Sequence, residues 1–255
     1  MDYKKINQAA WDQRTLTHVK SRFYDVEGFR RGLSSLNKLE KALLGEVQGK
    51  SLLHLQCHFG LDSLSFARFG ADVTGVDISS EAIKQANQLK EQLEIPAEFI
   101  CADIYDFAKE NRQQFDLIYT SYGVLCWLHD LDEWALMIKR ALKPGGEFHL
   151  IEFHPFADVI AGYPYFGGGD ALIEKEGTYT ENCDGTEHTI MTWAHTLGDI
   201  INALIKAGLN IRQVEEYETC PYDCFEGMTQ VADGAYSVFK NDHPIPLLFN
   251  IKATL

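Results

Sequence analysis

The stretch from Leu52 to Asp77, LLHLQCHFGLDSLSFARFGADVTGVD, constrains the fold of this chain more than any other. It opens as an apolar run too short for a surface helix, bracketed by Lys50 and Gly60. Leu64, Ala67 and Arg68 then recur at helical spacing, and Gly70 stops them. Val73 and Val76 carry a second apolar run to Asp77. Strand, tight turn, helix and strand in that order form a βαβ unit. Such a unit builds a parallel sheet with a crevice above the strand C-termini. An acid at the end of the second strand can accept both hydroxyls of a ribose.

A dinucleotide-binding turn carries G-x-G-x-x-G, which lets a pyrophosphate sit on the helix N-terminus. Here the turn reads Q-C-H-F-G, with Gly60 as its one glycine. That disfavours a pyrophosphate and leaves room for a nucleoside without phosphates. In this respect the sequence resembles the class I S-adenosylmethionine-dependent methyltransferases, whose first motif is similar to LDLGCGTG. LLHLQCHFG aligns with it: Cys57 and Gly60 match, Gln56 and His58 stand where glycines are usual, and His54 replaces an acid. The resemblance implies S-adenosyl-L-methionine as cofactor, held by Gln56, Cys57, His58 and Gly60, with the ribose on Asp77 and Ile78 beside it.

Downstream, the pattern of an α/β domain continues. Ser79 and Glu81 suit a helix start, and Ala82, Ile83, Ala86, Leu89 and Leu93 form its stripe. Ala97–Ala102 reads as the third strand, followed by Asp103. The resemblance places the adenine amino group at Asp103 and a ring nitrogen at the N–H of Ile104; a plain helix cap is the alternative for Asp103. Phe115–Thr120 is the fourth strand, with Ser121, Tyr122 and Gly123 over the crevice. A helix over 132–142 ends at LKPGG, which resembles the family's turn into a fifth strand, 147–153. Thr196-x-x-Asp199 opens a further helix, 209–218 a sixth strand, and 247–255 the last, antiparallel in the family.

The N-terminal 47 residues read as a helical lid: one helix near Asn7–Leu16, and an amphipathic stripe running from Glu27 to Leu44. Trp11 and Tyr24 are its aromatic candidates for roofing the cofactor, or else simply pack the lid down. The expected architecture is one doubly wound, Rossmann-like α/β domain over 1–255, with a seven-stranded, mostly parallel sheet and an antiparallel last strand. The cofactor core spans 51–154, and two aperiodic segments, 155–194 and 219–246, are acceptor-side insertions.

Composition excludes some partners. At 255 residues the chain can bury a full core. A net charge of −14 without a basic cluster speaks against nucleic acid. No run is long enough to span a bilayer, and no signal peptide is read at the N-terminus, so a cytoplasmic location is expected. Six cysteines read best as buried thiols. His54, Cys57 and His58 lack a second ligand pair at metal spacing, so no metal is expected. G-x-S-x-G is absent, which disfavours a nucleophilic hydrolase.

The expected function is methyl transfer to a small-molecule acceptor, with a homodimer compatible with it. A non-catalytic sensor of the cofactor and a Rossmann-type oxidoreductase are the alternatives. His154 and His195 flank the first insertion, and because histidine is the residue type that exchanges a proton near neutral pH, they are the candidate bases. If the chain returns extended at Trp193-Ala194-His195, Trp193 and His195 share a face at the crevice mouth.

Overall fold

The computed structural model describes residues 2–255. Three helices come first: α1 (Tyr3–His18), α2 (Val26–Arg30) and α3 (Lys38–Leu44). The core then alternates β1 (Ser51–Leu55), α4 (Leu61–Arg68), β2 (Asp72–Asp77), α5 (Ser80–Leu93), β3 (Glu98–Cys101), α6 (Ile104–Glu110), β4 (Phe115–Ser121), α7 (Leu131–Ala141) and β5 (Leu142–Phe153). An insertion follows, with α8 (Pro155–Ile160) and a hairpin of β6 (Leu172–Glu176) and β7 (His188–Thr192). The chain re-enters the core through α9 (Leu197–Ala207) and β8 (Asn210–Tyr217). Two small hairpins, β9 (Thr229–Ala232) with β10 (Ala235–Ser237) and β11 (Phe239–Lys240) with β12 (His243–Pro244), precede the last strand, β13 (Leu248–Thr254).

The main sheet has seven strands in the order β3-β2-β1-β4-β5-β13-β8. β1 pairs parallel with β2 (Leu53 opposite Thr74) and with β4 (Leu53 opposite Ile118). β13 is antiparallel to both neighbours, with Ile251 opposite Leu150 and Val214. The expected Rossmann-like sheet is therefore present, antiparallel strand included.

Both faces are covered, because successive strand residues point to opposite sides. Leu53, Leu55, Ile118 and Phe148 pack with Trp134, Ile138 and Leu204 on one face. Leu52, Leu117, Tyr119 and Ile151 pack with Leu64, Phe66 and Leu89 on the other. Burying strands on both faces explains why β1 and β4 read as apolar runs rather than alternations. Two helix starts also behave as read. Ser79 Oγ accepts from Ala82 N at 3.0 Å, and Thr196 and Asp199 close a reciprocal capping box.

Four expectations change. The stripe from Glu27 to Leu44 is two short helices, because Gly32 at φ +105° takes the backbone out of helix and leaves Leu33 58 % exposed. β5 starts at Leu142 rather than Glu147, so Lys143–Gly146 runs along the strand, past a register shift opposite Phe115–Leu117. The first insertion holds a hairpin that periodicity did not reveal, since β6 is exposed or half-exposed along its length and carries no apolar alternation. Cys101 is exposed, at the end of the edge strand β3. Among the described residues no helix is long and apolar enough to cross a membrane.

Candidate functional site

Above the C-terminal ends of β1, β2 and β4 lies a cavity of about 670 Å³. Its floor begins at the loop after β1. Gln56, His58 and Gly60 take left-handed φ of +54°, +51° and +77°. For a residue with a Cβ this costs about 1–2 kcal/mol. The loop offsets it with bonds: Gln56 Nε2 donates to the Val124 carbonyl at 2.9 Å, and Cys57 N to Val76 O at 3.0 Å. His58 N donates to Asp77 Oδ2 at 2.8 Å, and His58 Nε2 meets His18 Nδ1 at 2.8 Å. Gln56 and His58 thus follow a glycine-type backbone without being glycine. At Gly60 a Cβ would stand 2.7 Å from the Phe99 ring, so no side chain fits there.

Asp77 ends β2 with its carboxylate on the cavity wall. Besides His58 N it accepts from Ser79 N at 2.8 Å. Burial pushes its carboxyl up to about 6, against the pull of those N–H groups. Ile78, Ile104 and Ser121 line the same cavity. Asp103 does too, and it is also a helix cap: it accepts from Tyr105 N at 3.0 Å and Asp106 N at 3.3 Å. Tyr3 Oη bonds it at 3.2 Å and Lys4 Nζ lies 3.2 Å away.

The roof is α1. Trp11 sits with its ring centroid 5.3 Å from those of both His58 and Trp127. Tyr24, beyond the helix, lies 5.4 Å from His58. Polar bonds hold α1 down. Asn7 exchanges two with the backbone of Met191, at 2.8 and 2.9 Å. Gln8 donates to Ile78 O at 2.9 Å, and Asp12 accepts from Ser79 Oγ at 2.7 Å and Glu81 N at 3.0 Å. Arg14 reaches Glu176 at 2.9 Å with its guanidinium over Trp11 and Trp127.

A methyltransferase-domain family model matches residues 53–150, the part of the chain that carries this floor. Two curated relatives are similar to about half of the chain. They are the ubiquinone biosynthesis O-methyltransferases of Proteus mirabilis, 31% identical over 50% of this chain and 54% of the relative, and of Bordetella avium, 27% identical over 55% and 59%. The chain thus spans little more than half the length of these relatives. Among solved structures, an S-adenosylmethionine-dependent methyltransferase from Mesorhizobium loti superposes with a TM-score of 0.58 at 22% identity, over 89% of this chain and 100% of that one. One from Clostridium acetobutylicum gives 0.60 at 14% identity, over 98% of each. DhpI in a complex with SAH gives 0.59 at 16% identity, over 99% of this chain and 97% of that one. At these identities the likeness is one of fold.

The fold brings Trp11, Tyr24, Gln56, Cys57, His58, Gly60, Asp77, Ile78, Asp103, Ile104 and Ser121 onto the wall of one cavity. It does not bring His154 there. That side chain caps α8, accepting from Phe156 N at 3.0 Å, and pairs with Glu216 at 2.7 Å, so both ring nitrogens are spent on structure. His195 does line the cavity, beside Trp193. Its Nε2 is committed to the Leu128 carbonyl at 2.7 Å, and burial holds its pKa below the ordinary value. That bond ties it to the residue that follows the 3₁₀ turn at Leu125–Trp127.

Sequence reasoning passed over Tyr3, Asn7, Arg14 and Asp158, all on the wall. A signal for three of them was present. Tyr3, Asn7, Trp11, Arg14 and His18 recur at steps of four and three, a polar and aromatic face where an ordinary surface helix presents an apolar one.

Proposed function

We propose that this protein transfers a methyl group from S-adenosylmethionine to a small-molecule acceptor. The observation that carries the reading is Asp77. It is a buried carboxylate at the end of β2, facing the cavity beside a loop that lacks the glycines of a pyrophosphate turn. The residues present fit the cofactor. Asp77 keeps lone pairs for a ribose diol. Asp103 and the N–H of Ile104, on the same wall, would meet the base, and Tyr3 already bonds that carboxylate. Gln56 Oε1 and His58 Nδ1 are buried without a partner among the described residues. The rings of Trp11 and Tyr24 offer a cation faces worth about 0.5–2 kcal/mol.

When bound, S-adenosylmethionine supplies a methyl on cationic sulfur that needs no further activation. The chain's own work is to orient the acceptor and exclude water, which can lower a barrier by about 7–11 kcal/mol. Trp11, Trp127 and Tyr24 close the top of the cavity for that purpose.

In this reading 1–47 is a lid, 51–154 holds the cofactor, and 155–194 and 219–246 shape the acceptor side, all within one domain. Six unpaired thiols suit a reducing cytoplasm. The charge of −14 suits a protein that binds neither nucleic acid nor membrane, and a homodimer is compatible with the fold. The test is calorimetry with S-adenosylhomocysteine and NADH. Micromolar or tighter binding of the first is expected, and tighter binding of NADH would overturn the reading. Turnover separates an enzyme from a sensor: release of S-adenosylhomocysteine must depend on an added acceptor.

A further inference from the structure

The cavity continues beyond the nucleoside residues, beneath α8 and the β6–β7 hairpin. Its acids there are held unequally. Glu152, at the end of β5, is saturated by backbone: Gly123 N, Val124 N at 2.8 Å, Leu125 N at 3.0 Å and Phe153 N at 2.6 Å all donate to it. Glu176 accepts from Arg14 Nη2 and from Tyr163 Oη, both at 2.9 Å. Asp158, on α8, lines the same space and makes no side-chain hydrogen bond or ion pair among the described residues. Burial and the nearby Glu152 push its carboxyl up to about 7.

Arg14, Cys126, Glu152, Asp158 and Glu176 all line this cavity. Arg14 is itself 4 % exposed. Its Nη2 is tied to Glu176 and to the Gly177 carbonyl, and its Nε has no partner among the described residues. The guanidinium is thus already paired, to Glu176. An unpaired carboxylate on a cavity wall is stabilised by a cation beside it. Among the described residues none supplies that cation to Asp158, whereas a ligand in the cavity can.

We propose that the methyl acceptor is a small amine, and that its ammonium group binds Asp158 and gives it a proton. The inference rests on the methyl-transfer reading. The N–H bond breaks, an O–H bond forms on Asp158, and the pair left on nitrogen becomes the nucleophile. The new N–C bond takes the methyl, and the electron pair of the broken S–C bond stays on sulfur. Nothing is oxidised or reduced, and the proton on Asp158 passes to water. An overall charge of −14 also favours the arrival of cations over anions.

The probes are 2-phenylethylamine, 2-phenylethanol and phenylacetate, which share a ring and differ in the group offered to Asp158. Each is titrated calorimetrically into the protein saturated with S-adenosylhomocysteine. The amine should bind at least tenfold more tightly than either of the others. In Asp158→Asn that preference should vanish while affinity for S-adenosylhomocysteine stays unchanged. Equal binding of the alcohol or the acid to wild type overturns the proposal, as does an amine affinity unmoved in Asp158→Asn. A matching loss of S-adenosylhomocysteine affinity also overturns it, because Asp158 would then serve the cofactor. If Asp158→Asn unfolds, Asp158→Glu must keep the preference for the amine, and its loss there counts against the idea. A wild type that binds no S-adenosylhomocysteine overturns instead the reading on which this one stands.

Discussion

Asp77 is the residue on which the cavity's affinity should turn. A charged hydrogen-bond partner contributes about 1.5–3 kcal/mol. Asp77→Ala should therefore weaken S-adenosylhomocysteine binding at least tenfold by calorimetry, and unchanged affinity would remove Asp77 from the site. Its titration adds a pH dependence. The carboxyl lies near 6 in the fold against 3.8 for the free group, so the folded state favours the proton and the residue's own contribution to stability falls as pH rises from 3.8 to 6. Diol binding needs the ionised form and runs the other way. Affinity should drop about tenfold from pH 7 to pH 5, and Asp77→Asn should flatten that slope. At this scale the sequence was informative where one residue type serves one geometry, as at Asp77 and Gly60. It was uninformative about where His154 and His195 spend their nitrogens, because that is settled by carbonyls and carboxylates distant in the chain: Leu128 and Glu216.

Among the elements, β1, β4, α5, α7 and α9 were legible, because burial against the sheet imposes a period and caps mark the helix ends. The β6–β7 hairpin and the break between α2 and α3 were not. The first lacks an apolar face, and the second turns on one glycine in a stretch whose leucines keep helical spacing. α1 differs from all of these. It is fastened at Asn7, Gln8, Asp12 and Arg14 by hydrogen bonds rather than by an apolar stripe. Asn7→Ala removes the pair of bonds to Met191 and leaves buried backbone groups unmet, a cost of about 1–3 kcal/mol. Amide exchange over Tyr3–His18 should accelerate roughly tenfold, while exchange in β1 and β4 stays slow. Equal acceleration everywhere would show that α1 belongs to the global fold. α3 offers a second test. Glu40 is fully buried, and burial with the nearby Asp62 pushes its carboxyl up to about 7 from 4.5. A raised carboxyl means that the fold holds the proton more tightly, so stability is lost as pH climbs from 4.5 to 7. Glu40→Gln should raise the melting temperature at pH 8 by several degrees and leave it nearly unchanged at pH 4.5.

For the whole molecule, the acidic surface predicts how it meets polymers. No salt-sensitive, submicromolar complex with RNA or DNA should form in a gel-shift titration at 50 mM salt; one that did would place a basic face where the sequence has none. The mostly parallel sheet came through the sequence because the βαβ repeat is a local feature, and its antiparallel last strand came through the family resemblance; the strand order did not. A helical roof was read too, but not its fastening to the insertion, which joins residues more than 160 apart in the chain, as Arg14 does with Glu176. That roof has a consequence for timing. α1 passes from Tyr3, above Asp103, to Arg14, above the carboxylates under the insertion. One helix therefore stands over the exits of both ligands. Lifting it to release one exposes the other to solvent, so departure of either ligand should wait on the same slow motion. Stopped-flow traces should then give dissociation rates for nucleoside and acceptor that move together when Asn7 is replaced, whatever their separate affinities.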